Sequence, residues 1–151
     1  MNTTMDESVC VDASLIVALL MPERYTSQAT NLWEAWVSQD IRIVAPSLLG
    51  YEVTSALYRK VFRGEITPED GLAALQQFVA LNIETLTLPE LHFSAAELAR
   101  QFNRPNTYDA HYLALSKHLA SALWTADERL YNTVRDKFPF IRWVEENPEQ
   151  D

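Results

Sequence analysis

The chain has 151 residues, is 48% hydrophobic and contains only three glycines, which fits one domain with a sizeable core and excludes a disordered or fibrous protein. Its net charge of -9 argues against a broad, nonspecific grip on nucleic acid, since that needs a basic surface, yet it leaves room for a nuclease, whose clustered acids count as negative until a cation binds. The longest apolar stretch, residues 15–21, is too short to span a bilayer. The first eight residues carry two acids and no base, unlike a secretory signal, and Cys10 has no disulfide partner, so a cytoplasmic location is expected.

The first strand is expected at 8–11, where Val9, Cys10 and Val11 form an apolar run, and a helix at 14–21 is closed by Pro22. Leu32, Trp33, Trp36 and Val37 recur at helical spacing in a helix over 27–39, where the tryptophans read as core. A strand at 41–45 stops at Pro46, and a helix over 47–63 ends at Gly64, the usual C-terminal residue. Thr67-Pro68-Glu69-Asp70 is a cap, a first-position proline and first-turn acids, opening a helix that runs to about 82. A strand follows at 83–88, then helices at 94–102 and 107–119, a strand at 122–124, a helix at 128–137 and a last strand at 140–144. The acidic tail, 145–151, is expected to fray. Strands alternating with helices, without repeat or linker, predict an α/β fold: a parallel β-sheet of about five strands flanked by helices in an α/β/α sandwich. It forms one domain over 1–151, with its core at about 8–145.

Four carboxylates sit where this pattern puts apolar residues. Asp12 ends the first strand, at the edge where parallel α/β sheets bind ligands. It is also a plausible cap for the helix that follows. Glu52 shares a helix face with Leu48, Leu49 and Ala56, unless it reaches solvent from the edge of that stripe. Asp109 shares a face with Tyr112, Leu113 and Ser116, or simply satisfies first-turn amides. Asp127 follows the run Ala122-Leu123-Trp124 and is likewise a possible cap, a role Thr125 can take instead. No Lys or Arg stands beside any of the four as an evident partner. A buried carboxylate is costly unless protonated, paired or on a metal, so a shared divalent cation is the leading explanation. All-oxygen ligation suits Mg2+ or Mn2+.

Among the basic residues, Arg59, Lys60 and Arg63 lie one to three turns beyond Glu52, and Arg24 and Arg104 flank loops near the acids. All five are candidates to guide a nucleic-acid strand; the ordinary alternative is solvated charge at helix ends. His111 has no His or Cys at ligand spacing and is not expected to bind metal.

Val11-Asp12-Ala13-Ser14, Tyr51-Glu52-Val53, the run Tyr108-Asp109-Ala110-His111-Tyr112-Leu113-Ala114-Leu115-Ser116 and Trp124-Thr125-Ala126-Asp127-Glu128-Arg129-Leu130 together resemble the PIN-domain nucleases. Order, spacing and length agree over about residues 8–145, and the layout is most similar to the VapC-type toxins of toxin–antitoxin pairs. The resemblance implies a metal-binding quartet of Asp12, Glu52, Asp109 and Asp127, with Ser14 and Thr125 as supporting hydroxyls behind it. It also implies hydrolysis of RNA to 5′-phosphate and 3′-hydroxyl ends, an antitoxin protein as inhibitor, and a homodimer. One departure is the missing glycine before the strand at 122, where Lys117 to Ala122 reads Lys-His-Leu-Ala-Ser-Ala.

Other classes fit less well. A receiver or phosphoryl-transfer domain wants a lysine after a late strand, and Arg142 is the only cation in the last one. A haloacid-dehalogenase-like phosphatase wants an acid where Ser14 stands. A catalytically silent metal- or peptide-binding module and a stand-alone RNA-processing nuclease remain open.

Overall fold

The computed structural model describes residues 7–147. Its elements run β1 (Ser8–Val11), α1 (Ala13–Leu20), α2 (Thr26–Ser38), β2 (Arg42–Pro46), α3 (Leu48–Phe62), α4 (Pro68–Ala80), β3 (Glu84–Leu86), α5 (Glu90–Gln101), α6 (Tyr108–Leu119), β4 (Ala122–Thr125), α7 (Glu128–Val134) and β5 (Ile141–Trp143). Among the described residues the five strands form one sheet in the order β3-β2-β1-β4-β5, every neighbouring pair parallel. The expected α/β/α architecture is the one observed.

The chain winds outward from β1 through β2 to β3, then crosses back to add β4 and β5 on the other side. The direction of winding therefore reverses between β1 and β4, and the crevice outside the carboxyl ends of these strands is the natural ligand position of such a sheet. Val11 pairs with Trp124 in this register, so whatever follows each strand leaves the sheet at the same edge.

Burial follows the apolar pattern. Cys10, Val11, Val44 and Leu123 are inaccessible in the central strands, as a sheet covered on both faces requires. The Cys10 thiol, pushed up to about 12 by burial, is an unreactive core group. Trp36 is buried and makes edge contacts with Trp33 at 6.4 Å and Trp124 at 5.8 Å, so it is core as expected, while Trp33 packs partly buried against it.

Most boundaries shift by a residue or two, β3 narrowing from 83–88 to Glu84–Leu86 and β5 from 140–144 to Ile141–Trp143; three differences have an evident cause. Helix α5 starts at Glu90 rather than at 94, because Leu91 already belongs to its buried stripe with Ala95, Leu98 and Ala99. Helix α7 stops at Val134 rather than 137; the chain turns there and delivers Phe138 to the core. Residues 145 and 146, in the tail expected to fray, are hydrogen-bonded back to the fold. The Trp143 backbone N–H donates to Glu146 Oε1 at 3.2 Å, the Tyr131 hydroxyl donates to the same oxygen at 3.3 Å, and the Trp143 indole donates to Glu145 at 2.9 Å. The end of that tail, 148–151, and the start of the chain, 1–6, lie outside the described residues. Among the described residues no helix is long and apolar enough to cross a membrane.

Candidate metal centre

Asp12 and Asp127 each follow a central strand and each caps the helix after it. Asp12 Oδ1 accepts from the Leu15 amide at 3.0 Å, and Asp127 Oδ1 accepts from the Leu130 amide at 3.1 Å. A carboxylate offers about four acceptor sites; the cap uses one at Asp127, while the cap, Ser14 and Thr125 together use three at Asp12. Ser14 and Thr125 lock this edge together. The Ser14 hydroxyl donates to Asp12 Oδ1 at 2.7 Å and accepts from the Ala126 amide at 3.0 Å. Thr125 Oγ1 donates to Asp12 Oδ2 at 2.5 Å and accepts from the Asp127 amide at 2.9 Å. The two hydroxyls thus stand behind the acids and orient them.

Helix α3 supplies Glu52 and the first turn of α6 supplies Asp109. The buried Tyr112, one turn beyond Asp109, donates its hydroxyl to Glu52 Oε1 at 2.7 Å, so the two helices are tied through the acid itself. The sequence placed Tyr112 on the face of Asp109 but gave its hydroxyl no role. The signal available was its hydroxyl, which needs a partner once buried on the Asp109 face.

Asp109 has a cationic partner, against expectation: Arg104 Nη2 lies 3.2 Å from Asp109 Oδ2. The turn that ends α5 sets this up. Asn103 adopts a left-handed φ of 52°, its amide donates to Arg100 and the Arg104 amide donates to Ala99 at 2.8 Å, which is the Schellman arrangement. Pro105 follows and stiffens the exit, so Arg104 leaves the helix in a fixed direction.

The acids sense one another. Burial raises the Asp12 pKa to about 7, against the hydrogen bonds from Thr125, Ser14 and Leu15, with a further push from Asp127. Burial also raises Glu52, and Asp109 adds to the rise while Tyr112 opposes it. Asp109 is raised by burial and then by Asp127, and lowered by Arg104. The Tyr112 hydroxyl is pushed far up, first by burial and then by Glu52. Four carboxylates, opposed by Arg104 at Asp109 and more weakly by Arg59 at Glu52, leave surplus negative charge in a partly desolvated place. An oxygen-only donor set of this kind fits a hard divalent cation. Among the described residues no three His, Cys, Asp or Glu side chains stand together as a group that could hold a metal ion, so the acids would have to draw closer around a cation to share it.

A cavity of about 630 Å³ opens beside the acids, lined among others by Ser14, Tyr51, Glu52, Ala126, Arg59 and Tyr108. Glu52 is the member of the quartet on its wall. Lys60 and Arg63 also line it, Lys60 in an ion pair with Glu23 at 2.9 Å. Arg24 instead lies over the Tyr25 ring at 5.2 Å. His111 does have a histidine neighbour, because α5 brings His92 Nδ1 to 3.0 Å from its Nε2. No third ligand joins them among the described residues.

A parallel sheet with acids gathered at its switch point is the architecture of the PIN domain, and a family model of that description matches residues 9–136. The chain belongs to the PIN-domain family. Its relatives include Ribonuclease VapC3 of Pyrobaculum aerophilum, 32% identical over 135 residues that make up 87% of this chain and 95% of that one. Ribonuclease VapC9 of Mycobacterium tuberculosis is 32% identical over 131 residues, 87% of this chain and 94% of its own. Two crystal structures share the fold. PAE2754 of Pyrobaculum aerophilum has a TM-score of 0.69 at 21% identity over 93% of this chain and 92% of its own. Mycobacterium tuberculosis VapC20, described as a sarcin–ricin-loop-cleaving toxin, has a TM-score of 0.64 at 17% identity over 86% of this chain and 95% of its own.

Proposed function

We propose that this chain is a metal-dependent endoribonuclease, the toxin of a VapC-type toxin–antitoxin pair, and that Asp12, Glu52, Asp109 and Asp127 hold one or two Mg2+ or Mn2+ ions. The observation that supports the reading is a set of four carboxylates, two following β1 and β4 and two on α3 and α6, of which Asp12, Glu52 and Asp109 are raised by burial and by neighbouring acids, in a chain related over most of its length to named ribonucleases. A bound divalent cation supplies neutralisation of the phosphodiester and a lowered pKa for an attacking water.

The chain's own residues do the positioning. Ser14 and Thr125 hold Asp12 by both oxygens, Tyr112 fixes Glu52, and the helix amides of Leu15 and Leu130 fix the rotamers of Asp12 and Asp127. Arg59 and Arg63 line the approach beside Glu52 and meet the strand's phosphates. No ribose 2′-hydroxyl takes part in such an attack, so RNA is selected by shape and contacts. An antitoxin, a homodimer and a cytoplasmic location belong to the same reading.

The test is cleavage of RNA by the purified chain with Mg2+ or Mn2+, with chelator, and by Asp12→Asn. Asparagine caps a helix about as well as aspartate, so the variant keeps its fold. Cleavage that requires the cation and falls about 100-fold or more in Asp12→Asn, ~2.7 kcal/mol of barrier, supports the proposal. Equal cleavage by the variant marks a contaminant and overturns it.

A further inference from the structure

Two tyrosines directly precede two of the acids, Tyr51 before Glu52 and Tyr108 before Asp109. Both are unusually open for large aromatic side chains, Tyr51 at 77% and Tyr108 at 56% of full exposure. They come from different helices, α3 and α6, yet both line the one cavity that Glu52 and Ser14 also line. Neither supports the core. Tyr51, Ser55 and Arg59 recur at four-residue steps along α3 and all line that cavity, with Arg59 Nη1 donating to Ser55 Oγ at 3.2 Å. The wall therefore runs from an open aromatic ring to cationic groups, beginning beside the acids.

Resting on the nuclease reading, we propose that Tyr51 and Tyr108 form a nucleobase-stacking subsite that takes the unpaired bases flanking the scissile phosphate. An aromatic face stacks on any base whose own face is open, and such stacking is sequence-tolerant. In a duplex those faces are covered by neighbouring pairs, so the subsite selects unpaired RNA. The net charge of -9 gives this weight: a chain that repels polyanions at long range needs short-range binding energy where the strand is held. The cations beside the rings are the right complement for the phosphates that accompany stacked bases. Both rings share the cavity wall with Glu52, which places whatever they touch beside that acid and favours substrate over a remote partner protein.

The test is binding without cleavage. Full-length protein in chelator is titrated with a labelled short unstructured RNA and with a counterpart of the same backbone carrying abasic sites. Tyr51→Leu and Tyr108→Leu, which keep apolar bulk and lose the flat ring, are expected to weaken binding of the base-bearing RNA about ten-fold each and to leave the abasic RNA unaffected. Tyr51→Trp and Tyr108→Phe are expected to keep wild-type binding. Equal weakening on both RNAs, or no weakening on either, overturns the proposal. So does loss of a co-purifying protein partner by leucine variants whose RNA binding is intact, since the rings would then belong to a protein interface. Because binding is read without metal, a chain that stacks bases but never cleaves would sink the nuclease reading separately, leaving the two tyrosines as a base-stacking site with no scissile phosphate beside it.

Discussion

Arg104 stands 3.2 Å from Asp109, with about a quarter of the arginine side chain and a third of the aspartate side chain accessible. A cation held at Asp109 would have to compete with that guanidinium. Half-exposed pairs of this kind are worth only ~0.5–1 kcal/mol after screening. Arg104→Gln is therefore expected to tighten Mn2+ binding about two- to five-fold in calorimetric titration, and an unchanged affinity would show that the pair does not oppose the metal. The four acids were legible in the sequence because each interrupts an apolar pattern that local periodicity makes visible. Arg104 as their partner was not, because the contact depends on the left-handed Asn103 and the direction in which that turn releases the chain. Tyr112 was hidden for a related reason: its ring obeys the core pattern, and only its hydroxyl reaches out of it.

Helix α6 ends at Ala120, which holds a left-handed backbone with φ 51° and ψ 42°. It lies within Lys117 to Ala122, the stretch before β4 in which the family resemblance calls for a glycine and the chain has none. Its missing glycine was visible in the sequence, and its consequence is a strained alanine rather than a different turn: the Ala120 amide still donates to Lys117 and the Ser121 amide to Ser116. A Cβ in that conformation costs ~1–2 kcal/mol, while glycine adds ~0.5–1 kcal/mol of unfolded-state entropy. Ala120→Gly is thus expected to stabilise the protein by about 0.5–1 kcal/mol in urea unfolding, and a destabilised variant would mean that the alanine methyl contributes packing that outweighs its strain. At this scale capping and periodicity predicted every helix and strand. What escaped was where buried anchors override local signals, as Leu91 does in starting α5 and Phe138 in ending α7.

Across the whole molecule the sheet and the site are one problem, because the order β3-β2-β1-β4-β5 gathers residues that are far apart in the chain. Alternation of strands and helices made the parallel sheet readable, and Asp12 and Asp127 become neighbours once β1 and β4 pair. The helix contacts that bring in Glu52 and Asp109 are non-local and left no periodic trace. This gathering has a thermodynamic cost that depends on pH. Burial raises Asp12 from an ordinary value near 3.8 to about 7, and Glu52 and Asp109 shift in the same direction. The folded chain therefore keeps protons that the unfolded chain has lost, so stability falls as pH rises from about 3.8 through about 7. A divalent cation held by these acids would take them in their ionised form and is expected to reverse this loss chiefly at the alkaline end. In chelator, the melting temperature of wild type relative to Asp12→Asn is expected to drop across that window. Above it, Mn2+ at about 100 times its Kd should restore ~2.7 kcal/mol, and at the acidic end of the window far less. A wild-type-minus-variant difference that is flat with pH, or a Mn2+ shift equal at both ends, would mean that the acids do not share the charge burden that their placement imposes.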